Sequence, residues 1–125
     1  MNNNYTLLII EDNPDNYYLM NFLLSKHNFN IIGANNGLDG IKIALQKVPD
    51  AILLDIQLPE MDGYTVAVEL KKQKSLKNIP IIVVTSYAMP GDREKALASG
   101  ADGYIEKPIN PETFVSEISQ YLKPK

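Results

Sequence analysis

Short apolar runs and stretches of helical period alternate five times along the chain, and this alternation limits the fold more than any other feature. The runs are Thr6–Ile10, Asn30–Ala34, Ala51–Leu54, Pro80–Thr85 and Gly103–Ile105. Three of them are almost unbroken Leu, Ile and Val, the composition of strands covered on both faces. Strands separated by helices pair in parallel. Right-handed crossovers then give an α/β fold, a doubly wound five-stranded parallel sheet, whose functional crevice lies just beyond the carboxyl ends of the strands.

The helices carry their own punctuation. Asn13-Pro14 reads as a helix start, because Asn caps well and Pro suits the first helical position; Asn110-Pro111 repeats the device. After the second of these, Phe114, Ile118, Tyr121 and Leu122 are spaced as one buried stripe, and Leu38, Ile41, Leu45 and Val48 predict a similar stripe on the second helix. Gly100 stands where a helix C-cap is expected, and the middle helix, around Val66 and Leu70, reads as the shortest.

A chain of 125 residues with 45% hydrophobic content suits one domain, taken as 1–125, that folds without staples. The absence of cysteine excludes disulfides, thiolate catalysis and zinc–cysteine sites. A net charge of −3 argues against sequence-independent nucleic-acid binding. Lys71, Lys72, Lys74 and Lys77 form a basic run without interleaved aromatics, which reads as a solvated helix end and loop. The start of the chain lacks the pattern of an export signal and no run is long enough to span a bilayer, so a cytoplasmic protein without membrane contact is expected.

The residues just past the strand ends are chemically informative. Glu11 and Asp12 come after the first strand, Asp55 after the third, Thr85-Ser86 end the fourth, and Lys107 comes after the fifth. Clustered carboxylates repel unless a cation offsets them, and a hard divalent ion, by default magnesium, suits a few oxygen ligands with retained waters. The set provides a nucleophile, a metal site, a fixed positive charge and a hydroxyl donor. Phosphoryl transfer asks for these parts, and Asp55 could attack phosphorus in line without prior deprotonation. Each acid alone is more often a turn former or helix cap; the coincidence at four strand ends carries the reading.

With these residues the chain resembles the response-regulator receivers, CheY-like domains of two-component signal transduction, from Leu7 to Leu122. The resemblance rests on LLIIEDN, ILLDIQLPEMDG, PIIVVTSYAM and GADGYIEKPI, in family order and spacing. It implies strand order 2-1-3-4-5 with five helices, and a phosphorylation switch rather than an enzyme with a turnover substrate. Asp55 would accept the phosphoryl group. Asp12, Asp55 and the backbone carbonyl of Gln57 would bind Mg2+ (or Mn2+), with Glu11 acting through a water. Lys107 and Thr85 would hold phosphoryl oxygens, Thr85 moving toward the phosphate as Tyr104 turns inward. Taken alone, Tyr104 reads as an ordinary half-buried strand aromatic. Lys107-Pro108 is expected to be cis, and Asp62-Gly63 to form the turn into the third helix.

Leu58 replaces a methionine common at that position, a volume-conserving change. Gln57 and Tyr87 lie where the family controls water access, and a bulky Tyr87 is expected to lengthen the life of the phosphorylated form. His27, the only histidine, falls at the end of the first helix, which argues against an internal donor. Two rivals fit less well. A hydrolase of the haloacid-dehalogenase type expects a second aspartate where Gln57 stands, and a flavodoxin-like cofactor binder expects a Ser-, Thr- and Gly-rich loop where Glu11-Asp12-Asn13-Pro14-Asp15 stands.

The donor is expected to be a histidine kinase or phosphotransfer protein. The target is expected to be a protein docking on the face made by helix 4, strand 5 and helix 5, with no direct nucleic acid. The switch would be a monomer or a phosphorylation-dependent dimer. Lys125 comes shortly after the last helix, so the expectation is a single-domain regulator or a receiver excised from a hybrid kinase, and Met1 fits a natural start.

Overall fold

The computed structural model describes residues 4–86 and 89–124. Among them the order is β1 (Thr6–Ile10), α1 (Pro14–Ser25), β2 (Asn30–Ala34), α2 (Gly37–Lys47), β3 (Ala51–Leu54), α3 (Gly63–Lys72), β4 (Ile81–Thr85), α4 (Asp92–Ala98), β5 (Gly103–Glu106) and α5 (Phe114–Ser119). The strands form one parallel sheet in the order β2-β1-β3-β4-β5. No helix among the described residues is long and apolar enough to cross a membrane.

The unbroken apolar runs feed two cores at once, because successive strand side chains point to opposite faces. Leu8, Ile10, Ile52, Leu54, Ile81 and Val83 face one core with Ala44 of α2, Val66 and Leu70 of α3 and Ala96 of α4. Leu7, Ile9, Leu53, Ile82 and Val84 face the other, against Met20 and Leu24 of α1 and Phe114 and Ile118 of α5. Each fully buried Leu, Ile or Val contributes roughly 1.5–3 kcal/mol relative to exposure, so both layers are held by the strands themselves.

Several local expectations hold. The Asn13 side chain accepts hydrogen bonds from the Asp15 and Asn16 amides ahead of Pro14. Gly100 follows α4 with a left-handed φ of 108°. Phe114 and Ile118 are buried, with Tyr121 and Leu122 packed against the same core.

Others are corrected. Strand β4 begins at Ile81, since Pro80 has no N–H for the ladder and supplies only its carbonyl, to the Ile52 amide at 2.9 Å. Strand β5 extends to Glu106 through its pairing with Thr85. Asn110 caps a turn rather than the helix: its side chain takes the Glu112 amide, and α5 starts at Phe114. At 10 residues α3 is longer than α4 (7) or α5 (6). Lys71 is not a purely solvated charge: its ammonium donates to the Lys77 and Ile79 carbonyls and to Asp102, tying α3 to the start of β4 and the turn before β5.

The stripe expected on α2 also points elsewhere. Leu38, Leu45 and Val48 are 52%, 41% and 46% exposed, and Ile41 alone of the four is half-buried. The buried face is instead Gly37, Gly40 and Ala44. Small residues win because α2 packs very close: a Cβ on Gly40 would lie 2.5 Å from Ile10 Cδ1, and one on Gly37 2.5 Å from Val66 Cγ2. Val48 has φ 44° and ψ 72°, left-handed for a β-branched residue, and its N–H closes the helix on the Ala44 carbonyl.

Gly63 opens α3 under the end of β3. Its N–H donates to the Ile56 carbonyl at 2.7 Å. A Cβ there would lie 2.3 Å from the Asp55 carbonyl oxygen and 2.6 Å from Ile56 Cα, both backbone atoms that cannot turn aside.

Both backbone positions can be tested through stability. Val48→Gly relieves the left-handed strain and is expected to raise the unfolding free energy by about 1 kcal/mol in urea titration; a loss of stability would contradict that reading of residue 48. Gly63→Ala is expected to lower it by about 1–3 kcal/mol, and an unchanged midpoint would show that the contact yields freely.

Candidate functional site

Sheet order brings the strand-end residues together. Because β1 and β3 are neighbours with Ile10 opposite Leu54, Glu11-Asp12 and Asp55 leave the sheet side by side. The Asp55 amide donates to the Ile10 carbonyl at 3.1 Å and the Glu11 amide to the Ala34 carbonyl at 3.0 Å, which extends the ladder one step into the site. On the far side, the Lys107 amide donates to the Thr85 carbonyl at 2.8 Å. Four strand ends therefore fix the positions of these side chains.

Glu11, Asp12 and Asp55 each present a carboxylate oxygen within 4.8 Å of the others. Glu11 and Asp55 are buried, whereas Asp12 is exposed. The buried Lys107 ammonium donates to Glu11 Oε1 and lies 3.8 Å from Asp55 Oδ2. The other oxygens are also directed: Glu11 Oε2 accepts from the Asn13 amide at 3.2 Å, and Asp55 Oδ1 from the Gln57 amide at 3.2 Å.

One ammonium contacts two buried carboxylates, Glu11 and Asp55. Burial first, and then the neighbouring Asp55, push the Glu11 pKa up to about 7 even though Lys107 pulls it down. A donor set of clustered, half-neutralised carboxylate oxygens with room on the exposed Asp12 side suits a hard divalent cation.

The remaining predicted residues are near but differ in character. Thr85 is fully buried at the end of β4. Tyr104, opposite Val83 in the sheet, is buried, its hydroxyl without a hydrogen-bond partner among the described residues, and the Arg93 guanidinium lies 6.0 Å from its ring centroid. The Gln57 side chain is exposed, and its backbone contributes the amide to Asp55. The Lys107-Pro108 peptide is cis. His27 is exposed beyond the end of α1, with Nδ1 3.1 Å from the Leu23 carbonyl. Tyr87 lies outside the described residues.

One pair escaped the sequence reading. The Tyr64 hydroxyl donates to Asp92 Oδ1 at 2.8 Å, while Asp92 Oδ2 accepts from the Met89 amide at 2.6 Å, joining the start of α3 to the start of α4. The Lys95 ammonium lies 4.5 Å from the Tyr64 ring centroid. Burial and Asp92 raise the Tyr64 pKa, and the Met89 amide and the Tyr64 hydroxyl lower that of Asp92. The partners are 28 residues apart, and no periodicity marks either as a member of a pair.

Comparison with known proteins agrees with this geometry. The family model for the response regulator receiver domain matches residues 7–119. The polar-differentiation response regulator DivK of Brucella anthropi is 40% identical over 117 residues, covering 94% of this chain and 95% of that protein. Among solved structures, the receiver domain of a sensor histidine kinase from Pseudomonas aeruginosa, with a magnesium ion coordinated in its active-site cleft, superposes with a TM-score of 0.87 at 30% identity. The match covers 94% of this chain and 96% of that one. The signal receiver domain of a histidine kinase from Syntrophus aciditrophicus gives 0.86 at 31% identity, over 94% and 89% of the two chains. By the match over residues 7–119 and by its relatives, the chain belongs to the response regulator receiver domain family.

Proposed function

We propose that this receiver is a phosphorylation switch in which Asp55 accepts a phosphoryl group from a phosphohistidine on a partner histidine kinase or phosphotransfer protein. The observation that carries the reading is the Asp55 carboxylate, 3.8 Å from the Lys107 ammonium and clustered with Glu11 and Asp12 at one end of the sheet.

Asp55 attacks phosphorus through a carboxylate oxygen; the new P–O bond forms as the P–N bond to the donor imidazole breaks. Its Oδ1 is oriented by the Gln57 amide, and Oδ2 faces Lys107. Lys107 stabilises charge on the transferred phosphoryl oxygens, from a buried position where that charge is screened least. Asp12, Asp55 and the Gln57 carbonyl would hold Mg2+ (or Mn2+), with Glu11 acting through a water. Bound there, the ion supplies neutralisation of phosphoryl charge and a fixed template for in-line transfer.

The product is a changed surface rather than a released molecule. Thr85 moves toward the new phosphate and Tyr104 fills the adjoining space, which biases the face formed by α4, β5 and α5 toward or away from a protein target. The protein works in the cytoplasm, without nucleic-acid or membrane contact, as a monomer or a phosphorylation-dependent dimer. No second reading has a comparable observation behind it.

Acetyl phosphate with magnesium is expected to add one phosphoryl mass to the wild type and none to Asp55→Asn; labelling of both, or of neither even with a kinase supplied, would overturn the proposal. In thermal unfolding, magnesium at ten times its dissociation constant is expected to add about 1.4 kcal/mol of stability, or about 5 °C in Tm for a domain of this size. Asp12→Asn is expected to remove most of that shift, and an equal shift in the variant would rule Asp12 out as a ligand.

A further inference from the structure

One of the openings beside the carboxylate cluster has a charge pattern that the transfer chemistry does not require. A cavity of about 430 Å3 opens beside Asp12 and is lined also by Asn36, Asp39 and Glu60. Its lining contains three carboxylates and no cationic side chain. Asp39 is fixed rather than loose: its Oδ2 accepts from Asn36 Nδ2 at 2.9 Å, while the Asn36 side-chain oxygen takes the Asp39 amide at 2.8 Å. Glu60 stands on a left-handed backbone with φ 68°, in the loop between Asp55 and α3. Among the described residues the ion pairs are Lys71–Asp102, Lys72–Glu69 and Lys107 with Glu11 and Asp55, so neither rim carboxylate has a paired cation.

We propose that Asp39 and Glu60 form a negative rim that selects how the phosphoryl group arrives, disfavouring small free phosphoryl donors and reserving Asp55 for a donor docked through protein contacts. The inference rests on Asp55 as acceptor. A small acyl phosphate carries two negative charges near neutral pH. Approaching through this cavity, it meets the rim before the bond between phosphorus and the departing carboxylate can break and the bond to Asp55 form. A divalent ion and Lys107 offset charge inside the cluster, and Lys42, which lines the adjoining cavity with Asp39, makes no ion pair with either rim carboxylate. A protein donor meets the same local charge, yet its own contacts set the encounter, so the rim lowers the rate of the small donor most. Leu38, more than half exposed on the same cavity wall, offers an apolar contact that only a larger donor uses.

The test is the second-order rate constant for labelling by acetyl phosphate in saturating magnesium, for wild type, Asp39→Asn, Glu60→Gln, the double variant and Glu60→Lys. These changes leave the cluster and Lys107 untouched, and circular dichroism confirms folding. Each neutralised charge is expected to raise the rate about 3-fold at about 20 mM KCl, with the double variant near 10-fold and Glu60→Lys above Glu60→Gln. The wild-type rate is expected to rise with salt, and the differences to shrink at about 500 mM KCl, where the Debye length is about 4 Å. Phosphoramidate, with one fewer net negative charge, is expected to respond less. Equal rates for wild type and double variant at low salt, or a wild-type rate that falls with salt, would overturn the rim proposal while leaving Asp55 as acceptor. No label on wild type from either donor would overturn the Asp55 reading itself.

Discussion

The buried contact of one ammonium with two buried carboxylates, Lys107 with Glu11 and Asp55, is the interaction on which the rest of the molecule turns. Charges held away from water are tolerated only with good geometry and further hydrogen bonds, and removing one partner leaves the others uncompensated. The sheet meets both conditions. Ile10 opposite Leu54 brings the acids together, Lys107 arrives on the amide bonded to Thr85, and the Asn13 and Gln57 amides take the remaining carboxylate oxygens. Burial, and then the neighbouring Asp55, still raise the Glu11 pKa against the pull of Lys107. Clustered carboxylates with one ammonium suit a hard cation and, under the proposed function, the charge redistribution of phosphoryl transfer.

Two layers of packing keep that arrangement rigid. The period-two division of Leu, Ile and Val between both faces locks the strands in register, and a one-residue slip would send each set to the wrong core. Glycines at 40 and 63 set the closeness of α2 and α3 to the strand ends. At the other end of α3, Lys71 holds the turn before β5 from which the Tyr104 strand begins. Tyr64 and Asp92 then join the start of α3 to that of α4, so the loop after Asp55 and the loop after Thr85 share an anchor.

Much of this was legible in the sequence, for reasons that differ by residue. The strands were visible because doubly covered strands must be apolar throughout, and the site because parallel order collects the residues that come just after strands. The stripe on α2 misled because Leu38, Leu45 and Val48 satisfy helical spacing, whereas the face that packs is made of Gly37, Gly40 and Ala44, whose smallness is the reason they pack. Asn110-Pro111 looked like a cap and is one, but for a turn before the helix. Lys71 read as a solvated charge because its three oxygen partners come from segments distant in the chain or from carbonyls that no side-chain pattern marks.

The proposed switch requires that Asp55, and no other carboxylate, carry an acyl phosphate. Borohydride reduction of the phosphorylated protein converts an acyl-phosphate aspartate to homoserine, and peptide mass mapping then locates it. Homoserine is expected at position 55 alone, dependent on both magnesium and the phosphoryl donor. Homoserine at position 12, or unmodified Asp55 in protein that carries the phosphoryl mass, would rule out Asp55 as the acceptor.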